Sequence, residues 1–241
     1  MKLLYQKLKE EKTMPKLQEY CLNITDGEHG SVIDDNSGNY YLLSNKNMVN
    51  GEIVITSEDR KISEESFRKI NKRTKLSTGD VLISTVGTIG KVALVEGNVN
   101  YDFQRSVGIL KCNKDILLPK FLYYYLNSPY IQNKLLKTAK GAIQKCIFIS
   151  DLKNLEVSIP SITLQNKISK VLALVDNKIK LNNKINSELE KMAKTLYDYW
   201  FVQFDFPDEN KRPYKSWFKC IFEHIKGFMT SNLLKGGLRY A

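Results

Sequence analysis

Apolar residues fall into two regimes along the chain, divided near Pro160. Before it, from about Leu17, short apolar runs alternate with turn chemistry. The segments EIVIT (52–56), DVLIS (80–84), KVALV (91–95) and SVGILKC (106–112) have the aliphatic, β-branched texture of strands. SVIDDNSGNYYLL (31–43) predicts two further strands around an Asn-Ser-Gly turn. SEESFRKINK (63–72) and PKFLYYYLNSPYIQNKLLKTA (119–139) predict helices. After Pro160 the texture changes. From Leu164 to Trp200 there is neither Gly nor Pro, and Ile168, Val171, Leu172, Val175, Ile179, Ile185, Leu189, Met192, Leu196 and Trp200 recur mostly at spacings of three and four. That is one face of a long helix.

With Leu172 at heptad position a, Ile179, Ala193 and Trp200 are also a, and Val175, Leu189 and Leu196 are d. Val171, Ile185 and Met192 fall at g and widen the stripe, while Asn182 (d) and Asn186 (a) interrupt it. Polar residues in such a seam fix register or partner number at some loss of stability. Roughly 36 residues at about 1.5 Å each make a rod of about 54 Å. A rod of that length cannot bury its stripe against one small domain, and the sequence predicts no second long helix. Leu172, Val175, Ile179, Asn182, Ile185, Leu189, Met192, Leu196 and Trp200 are therefore expected to meet a helix of another copy or another protein. The expected architecture is α+β: an arm over 1–13, a mostly-β domain with a helical insertion over 14–160, one long coiled-coil helix over 161–203, and a tail over 204–241.

Composition removes several possibilities. No stretch approaches the roughly 20 apolar residues of a membrane span. The first residues lack the apolar core and cleavage site of a secretion signal, so a cytoplasmic location is expected. Cys21, Cys112, Cys146 and Cys220 are far apart, and His29 and His224 are the only histidines, which argues against a zinc site, a disulfide framework or a histidine-dependent nucleophile. Net charge is +11, and the excess is local: residues 111–150 carry seven basic and one acidic side chain, and residues 211–241 carry the same, while the remainder is nearly balanced. A basic block on a folded domain suits a polyanion; a solvated lysine-rich surface explains it equally well.

Two motifs invite catalytic readings and fail them. Gly87-Thr88-Ile89-Gly90-Lys91 resembles a phosphate-binding loop, but that loop needs Gly where Thr85 stands and Ser or Thr where Val92 stands. The following VALVEG is a strand rather than a helix N-terminus, so no dipole would receive a phosphate. The reading is a tight turn between strands, its glycines letting backbone approach a second surface, with DNA the candidate. NSPY (127–130) resembles the methyltransferase motif that presents an amine to its methyl donor, but Ser128 occupies the place of the first proline, and no Gly-rich cofactor loop precedes it. Ser128 as helix N-cap with Pro129 at the first helical position is the better account. Nothing argues for catalysis in this chain. The contact candidates are instead Gly87, Thr88, Gly90 and Lys91; Gln104, Arg105 and Ser106; and Lys140, Gly141, Gln144 and Lys145. Arginine reads guanine and glutamine reads adenine bidentately, and lysines hold phosphates.

Taken in order, TDGEHGS (25–31), TGDVLISTVGTIGKVALVEG (78–97), FQRSVGILK (103–111), the long segment from Lys120 to Pro207, and PYKS (213–216) resemble the specificity (S) subunit of type I restriction–modification systems. The resemblance covers about 23–215. It implies that 14–160 is a target-recognition domain reading one half of a bipartite site in double-stranded DNA. It implies that the helix packs antiparallel on a second such helix and docks methyltransferase (M) subunits, within a complex that also contains restriction (R) subunits. Adenine methylation and any cleavage would belong to those partners, with S-adenosylmethionine, ATP and Mg, and no cofactor is expected here. Full-length members hold two recognition domains and two spacer helices; this chain has one of each, so a homodimer, or pairing with another half subunit, is expected. The alternative is a truncated interaction protein that binds the methyltransferase subunit without reading DNA. The chain departs from the family at Leu164, where a glutamate usually precedes the glutamine. From Trp217 onward nothing resembles the usual Gly-rich link and second domain, so 204–241 is expected to be a truncated or frameshifted remnant.

Overall fold

The computed structural model describes residues 14–141 and 145–198. In chain order its elements are β1 (Cys21–Asp26), β2 (Tyr40–Leu43), β3 (Met48–Val49), β4 (Glu52–Ile53), β5 (Lys61–Ile62), α1 (Glu64–Thr74), β6 (Val81–Ser84), β7 (Val92–Leu94), β8 (Tyr101–Phe103), β9 (Val107–Cys112), α2 (Pro119–Asn127), α3 (Pro129–Thr138), α4 (Ile149–Lys153) and α5 (Ile162–Tyr197). One sheet has the order β1-β9-β6-β7, antiparallel throughout. A second has the order β5-β2-β8, in which β2 and β8 run parallel.

The larger sheet is buried on both faces, which explains why DVLIS and SVGILKC read as unbroken apolar runs rather than alternating ones. Val81, Ile83, Leu110 and Cys112 face the helices, packing with Phe121, Leu122 and Leu126 of α2, Ile131 and Leu135 of α3 and Leu152 of α4. Leu82, Ala93 and Ile109 face the other way, onto Leu43, Met48, Tyr101 and Phe103. Fully burying a side chain of this size contributes about 1.5–3 kcal/mol. The smaller sheet is covered by α1 through Leu42, Ile62 and Ile70, with Tyr40 stacked on Phe67 at 4.5 Å between ring centroids.

Local chemistry sets the helix ends. Ser63 caps α1 by accepting from the Ser66 N–H (3.2 Å); Glu64 and Glu65 lie in its first turn, Lys72 and Arg73 in its last, the charge order that the helix dipole favours. The helical segment over 119–139 divides in two at the helix start expected at Ser128-Pro129. Ser128 ends α2 and caps α3, its Oγ accepting from the Ile131 N–H, and Pro129 opens α3 as expected. The extended residue that must precede a proline breaks the run. Two strand expectations also change. Residues 31–35 are not a strand: β2 pairs with β5 and β8 instead of folding back on them, and Asp35 serves the turn, accepting from the Ser37 N–H and Oγ. In 52–56 only Glu52–Ile53 is strand, paired with β3. The chain then leaves the ladder for an Asp59-centred turn.

Asp59 is buried there. Burial alone would raise its carboxyl, but the Asn47 amide, the Thr56 N–H, the Lys46 ammonium and the Thr56 hydroxyl outweigh it and hold it well below the ordinary carboxylate range. A depressed native value contributes stability above the unfolded value of 3.8 and loses it as pH falls below that. We expect the urea midpoint to drop between pH 5 and pH 3, and the drop to shrink in Asp59→Asn; an equal drop in both would assign acid sensitivity elsewhere. Asp102 is the opposite case. Burial pushes its carboxyl up, against hydrogen bonds from Thr74 Oγ1 (2.5 Å), the Phe103 N–H and Asn71.

α5 is tied down at its start by a buried amide. Gln165 is fully buried; its Oε1 accepts from the Leu118 N–H (2.9 Å) and its Nε2 donates to the carbonyls of Ile116 and Pro160 (2.8 Å each). The chain divides into two compact units, one ending at Val175 and one beginning at Asp176, so the first turns of α5 belong to the unit that holds the sheets. α5 runs unbroken for 36 residues. Among the described residues, no helix is long and apolar enough to cross a membrane.

Candidate functional site

The three groups of contact candidates lie on turns that meet around one residue, Thr85. It follows β6, at the mouth of the turn that leads to β7. Its N–H donates to the Ser106 carbonyl (2.9 Å), its Oγ1 reaches the Arg105 carbonyl (3.4 Å), and its own carbonyl accepts from the Ile147 N–H (2.9 Å). The 104–106 turn and the 140–146 loop are thereby stitched to the 85–91 turn. The loop is closed by reciprocal bonds between Lys140 and Cys146 (2.9 and 2.8 Å), and Cys146 also bridges to Val86.

A fourth segment joins them. The Arg105 N–H donates to the Glu28 carbonyl (2.9 Å), and the Glu28 N–H to the Phe103 carbonyl (2.7 Å). This close crossing requires Gly27, since a Cβ there would lie 2.0 Å from the Phe103 carbonyl oxygen. Arg73, from the last turn of α1, braces the segment from outside by donating to the carbonyls of Asp26 (2.9 Å) and Gly27 (2.5 Å). His29 hydrogen-bonds Asp26 at 2.6 Å.

The candidates occupy different positions within this cluster. Gly87 and Thr88 are exposed at the tip of the turn. Gly90 is buried: its positive φ and missing Cβ admit Gln132 of α3, whose Nε2 donates to the Gly90 carbonyl (2.9 Å). The close approach expected of that glycine is made by the protein's own helix. Lys91 and Gln104 are half-buried; Arg105, Lys140, Gly141 and Lys145 are exposed. Among the described residues, the charged ends of Arg105, Lys91 and Lys145 have no hydrogen-bond or ion-pair partner, whereas Lys140 lies 3.5 Å from Asp151 and over the Phe148 ring. Ser106 Oγ and the second oxygen of Asp151 are buried without a hydrogen-bond partner among the described residues. Gln144 lies outside the described residues.

The basic block proves heterogeneous. Lys111 points inward, bonding Asp80 and the Lys75 carbonyl, and Lys134 reaches the Glu156 carbonyl. What the cluster offers is a few cations without a partner among the described residues, with the exposed turns at Gly87, Thr88 and Gly141 between them. That arrangement can bind phosphates and hydrogen-bond base edges. Residue type nominated none of Arg73, Gln132, Phe148 and Asn45, whose Nδ2 donates to the Val86 carbonyl (2.6 Å), and Glu28 was marked only within TDGEHGS. Thr85 was visible only as the residue that spoils a phosphate-loop pattern. Among the described residues, no group of histidine, cysteine, aspartate and glutamate is arranged to hold a metal ion.

The second candidate surface is α5. Leu172, Val175, Ile179, Ile185, Leu189, Met192 and Leu196 are between 37% and 61% exposed, and Asn182 is exposed with them, so the predicted stripe is uncovered. Trp200 lies outside the described residues. Leu174 and Leu181, which the heptad assignment left out, are exposed too, at 70% and 58%. At about 100° per residue they adjoin the g positions. The apolar arc is therefore wider than a two-helix seam needs.

Comparison with known proteins gives a consistent set of likenesses. The family described as type I restriction modification DNA specificity domain matches residues 27–191. The chain is 36% identical over 109 residues to the type I restriction enzyme EcoBI specificity subunit of Escherichia coli, covering 45% of this chain and 23% of that protein. It is 30% identical over 134 residues to the HindI specificity subunit of Haemophilus influenzae, covering 54% and 29%. Among solved structures, the S subunit of a type I restriction-modification system from M. genitalium superposes with a TM-score of 0.53 over 81% of this chain and 49% of that one, at 21% identity, which speaks to fold. The chain thus spans under a third of these two curated relatives.

Proposed function

Because the chain belongs to the family of type I restriction modification DNA specificity domains, we propose that its sheet-bearing unit reads one half of a bipartite DNA site. The observation that carries this reading is the junction at Thr85, which gathers four turns into one surface bearing Arg105, Lys91 and Lys145, whose charged ends have no partner among the described residues. In this reading Arg105 reaches a base edge in the major groove, and Lys91, Lys140 and Lys145 hold phosphates that set the register. The a and d positions of α5 pair with the same positions of a second copy, placing two readers a fixed distance apart on inverted half-sites. The flank formed by Val171, Leu174, Leu181, Ile185 and Met192 is left for a methyltransferase subunit. Methylation of adenine, and cleavage by a restriction subunit, fall to those partners with S-adenosylmethionine, ATP and Mg.

Methylome sequencing of cells that express this chain with its methyltransferase yields the duplex to use. On that duplex Arg105→Ala should weaken binding by about 1–3 kcal/mol, roughly 5- to 150-fold, and leave affinity for unrelated duplexes nearly unchanged. Lys145→Ala should weaken both and flatten the salt dependence by about one unit of slope. Equal affinity of the wild-type chain for all duplexes, or none for any, would favour the truncated interaction protein that binds the methyltransferase subunit.

A further inference from the structure

One pair of cysteines is set face to face by strand register. Cys21 opens β1, Cys112 closes β9, and the two are direct partners in the antiparallel ladder. The Asn113 N–H donates to the Tyr20 carbonyl (3.0 Å), so the bond joins the residues flanking the pair. Cys21 and Cys112 therefore occupy a non-hydrogen-bonded site, where opposed Cα atoms approach to about 4.5 Å. A disulfide spans Cα separations of about 4.4–6.8 Å. Both side chains leave the sheet on its helix-covered face. Cys112 is buried in that core, and Cys21 packs half-buried against it. The extra residue Leu22 bulges the ladder just after Cys21, which gives β1 local freedom to adjust. Cys146 lies elsewhere, in the Thr85 junction.

We propose that Cys21 and Cys112 are a peroxide-sensitive oxidation site that closes into a reversible disulfide. Cys21 is the more exposed of the two thiols, and the Cys21 thiol beside Cys112, and then burial, push the Cys112 thiol up, so Cys21 is the first nucleophile. Its thiolate attacks one oxygen of hydrogen peroxide, forming a sulfenic acid at Cys21 and releasing hydroxide, which takes up the proton lost from the thiol and leaves as water. The Cys112 sulfur then displaces the sulfenic hydroxyl. The S–S bond forms, the S–O bond breaks, and the Cys112 proton departs with the hydroxyl as a second water. Two thiols are oxidised by one peroxide, and a dithiol reductant reverses the change. The link staples β1 to β9 at the ends opposite the 26–30 and 104–106 turns, so it tightens the sheet without altering the Thr85 junction.

The test uses the whole chain, first reduced and then exposed to equimolar hydrogen peroxide, with free thiols alkylated before peptide mapping. The expected product is a Cys21–Cys112 linked peptide with Cys146 and Cys220 alkylated. The melting temperature should rise on the order of 10 °C, as closing a loop of about 90 residues implies, and return with dithiothreitol. Cys112→Ser should give no link and stop Cys21 at the sulfenic acid, trapped with dimedone, which a second equivalent of peroxide carries on to the sulfinic acid; Cys21→Ser should leave Cys112 reduced. In the wild-type chain, sulfinic acid at Cys21 beside a free Cys112, a link through Cys146 or Cys220, or four unchanged thiols would each overturn the proposal.

Discussion

On the pairing of α5 proposed above, replacing Leu189 and Leu196 together by aspartate should convert the dimer into a monomer. Both leucines are more than half exposed on α5. Each contributes about 2 kcal/mol when buried. A twofold pair covers four of them, so the double variant forfeits at least about 6 kcal/mol even before charge desolvation, weakening the dimer more than about 10⁴-fold. Sedimentation velocity across a concentration series reads this directly. Thermal unfolding of the sheets should be little changed, because both leucines lie outside the unit that ends at Val175 and holds the sheets. A wild-type chain that sediments as a monomer at every concentration, or a variant indistinguishable from wild type, would remove the pairing from the account.

The second large effect concerns Gln165. Gln165→Leu keeps the volume but strands the Leu118 N–H and the carbonyls of Ile116 and Pro160, all of which the amide now satisfies. A buried polar group without a partner costs about 1–3 kcal/mol. With some relaxation toward water, the sum should be about 3–5 kcal/mol of unfolding free energy. Urea titration measures it. A loss below about 1 kcal/mol would mean that the loop before α2 re-pairs with solvent and that the amide positions α5 without stabilising the unit. Because the amide joins the helix start to the loop before α2, the variant should also raise hydrogen exchange at Leu118.

The elements legible in the sequence were those whose pattern is set by neighbours close in the chain. The long helix, the helix over 63–72, the split at Ser128-Pro129 and the β6–β7 hairpin all follow from local periodicity or capping chemistry. β8 and β1 were not singled out as strands. Tyr101–Phe103 is three residues long, and its burial comes from parallel pairing with a strand some sixty positions earlier, which no local window records. β1 carries a mixed burial pattern at the sheet edge. The candidate site divides in the same way. Residue type nominated Arg105 and Lys145, which remain exposed and unpaired among the described residues. It also nominated Gly90, which Gln132 occupies, and the basic block, of which Lys111 is internal. Gln132 and Asn45 could not be found from sequence, since their relevance is a contact spanning about forty positions. The likeness through TDGEHGS marked the segment containing Gly27 and Glu28, but its role in carrying Arg105 depends on a backbone crossing.

The bonds that gather the turns around Thr85 run almost entirely from main chain to main chain. Such seams are indifferent to the side chains mounted on them. Positions 88, 105 and 145 could be exchanged wholesale with the framework undisturbed, as type is reset in a fixed frame, whereas the positive φ of Gly141 holds that position to glycine. Retargeting the surface therefore costs little folding stability so long as the residues at 27, 85 and 90 stay as they are.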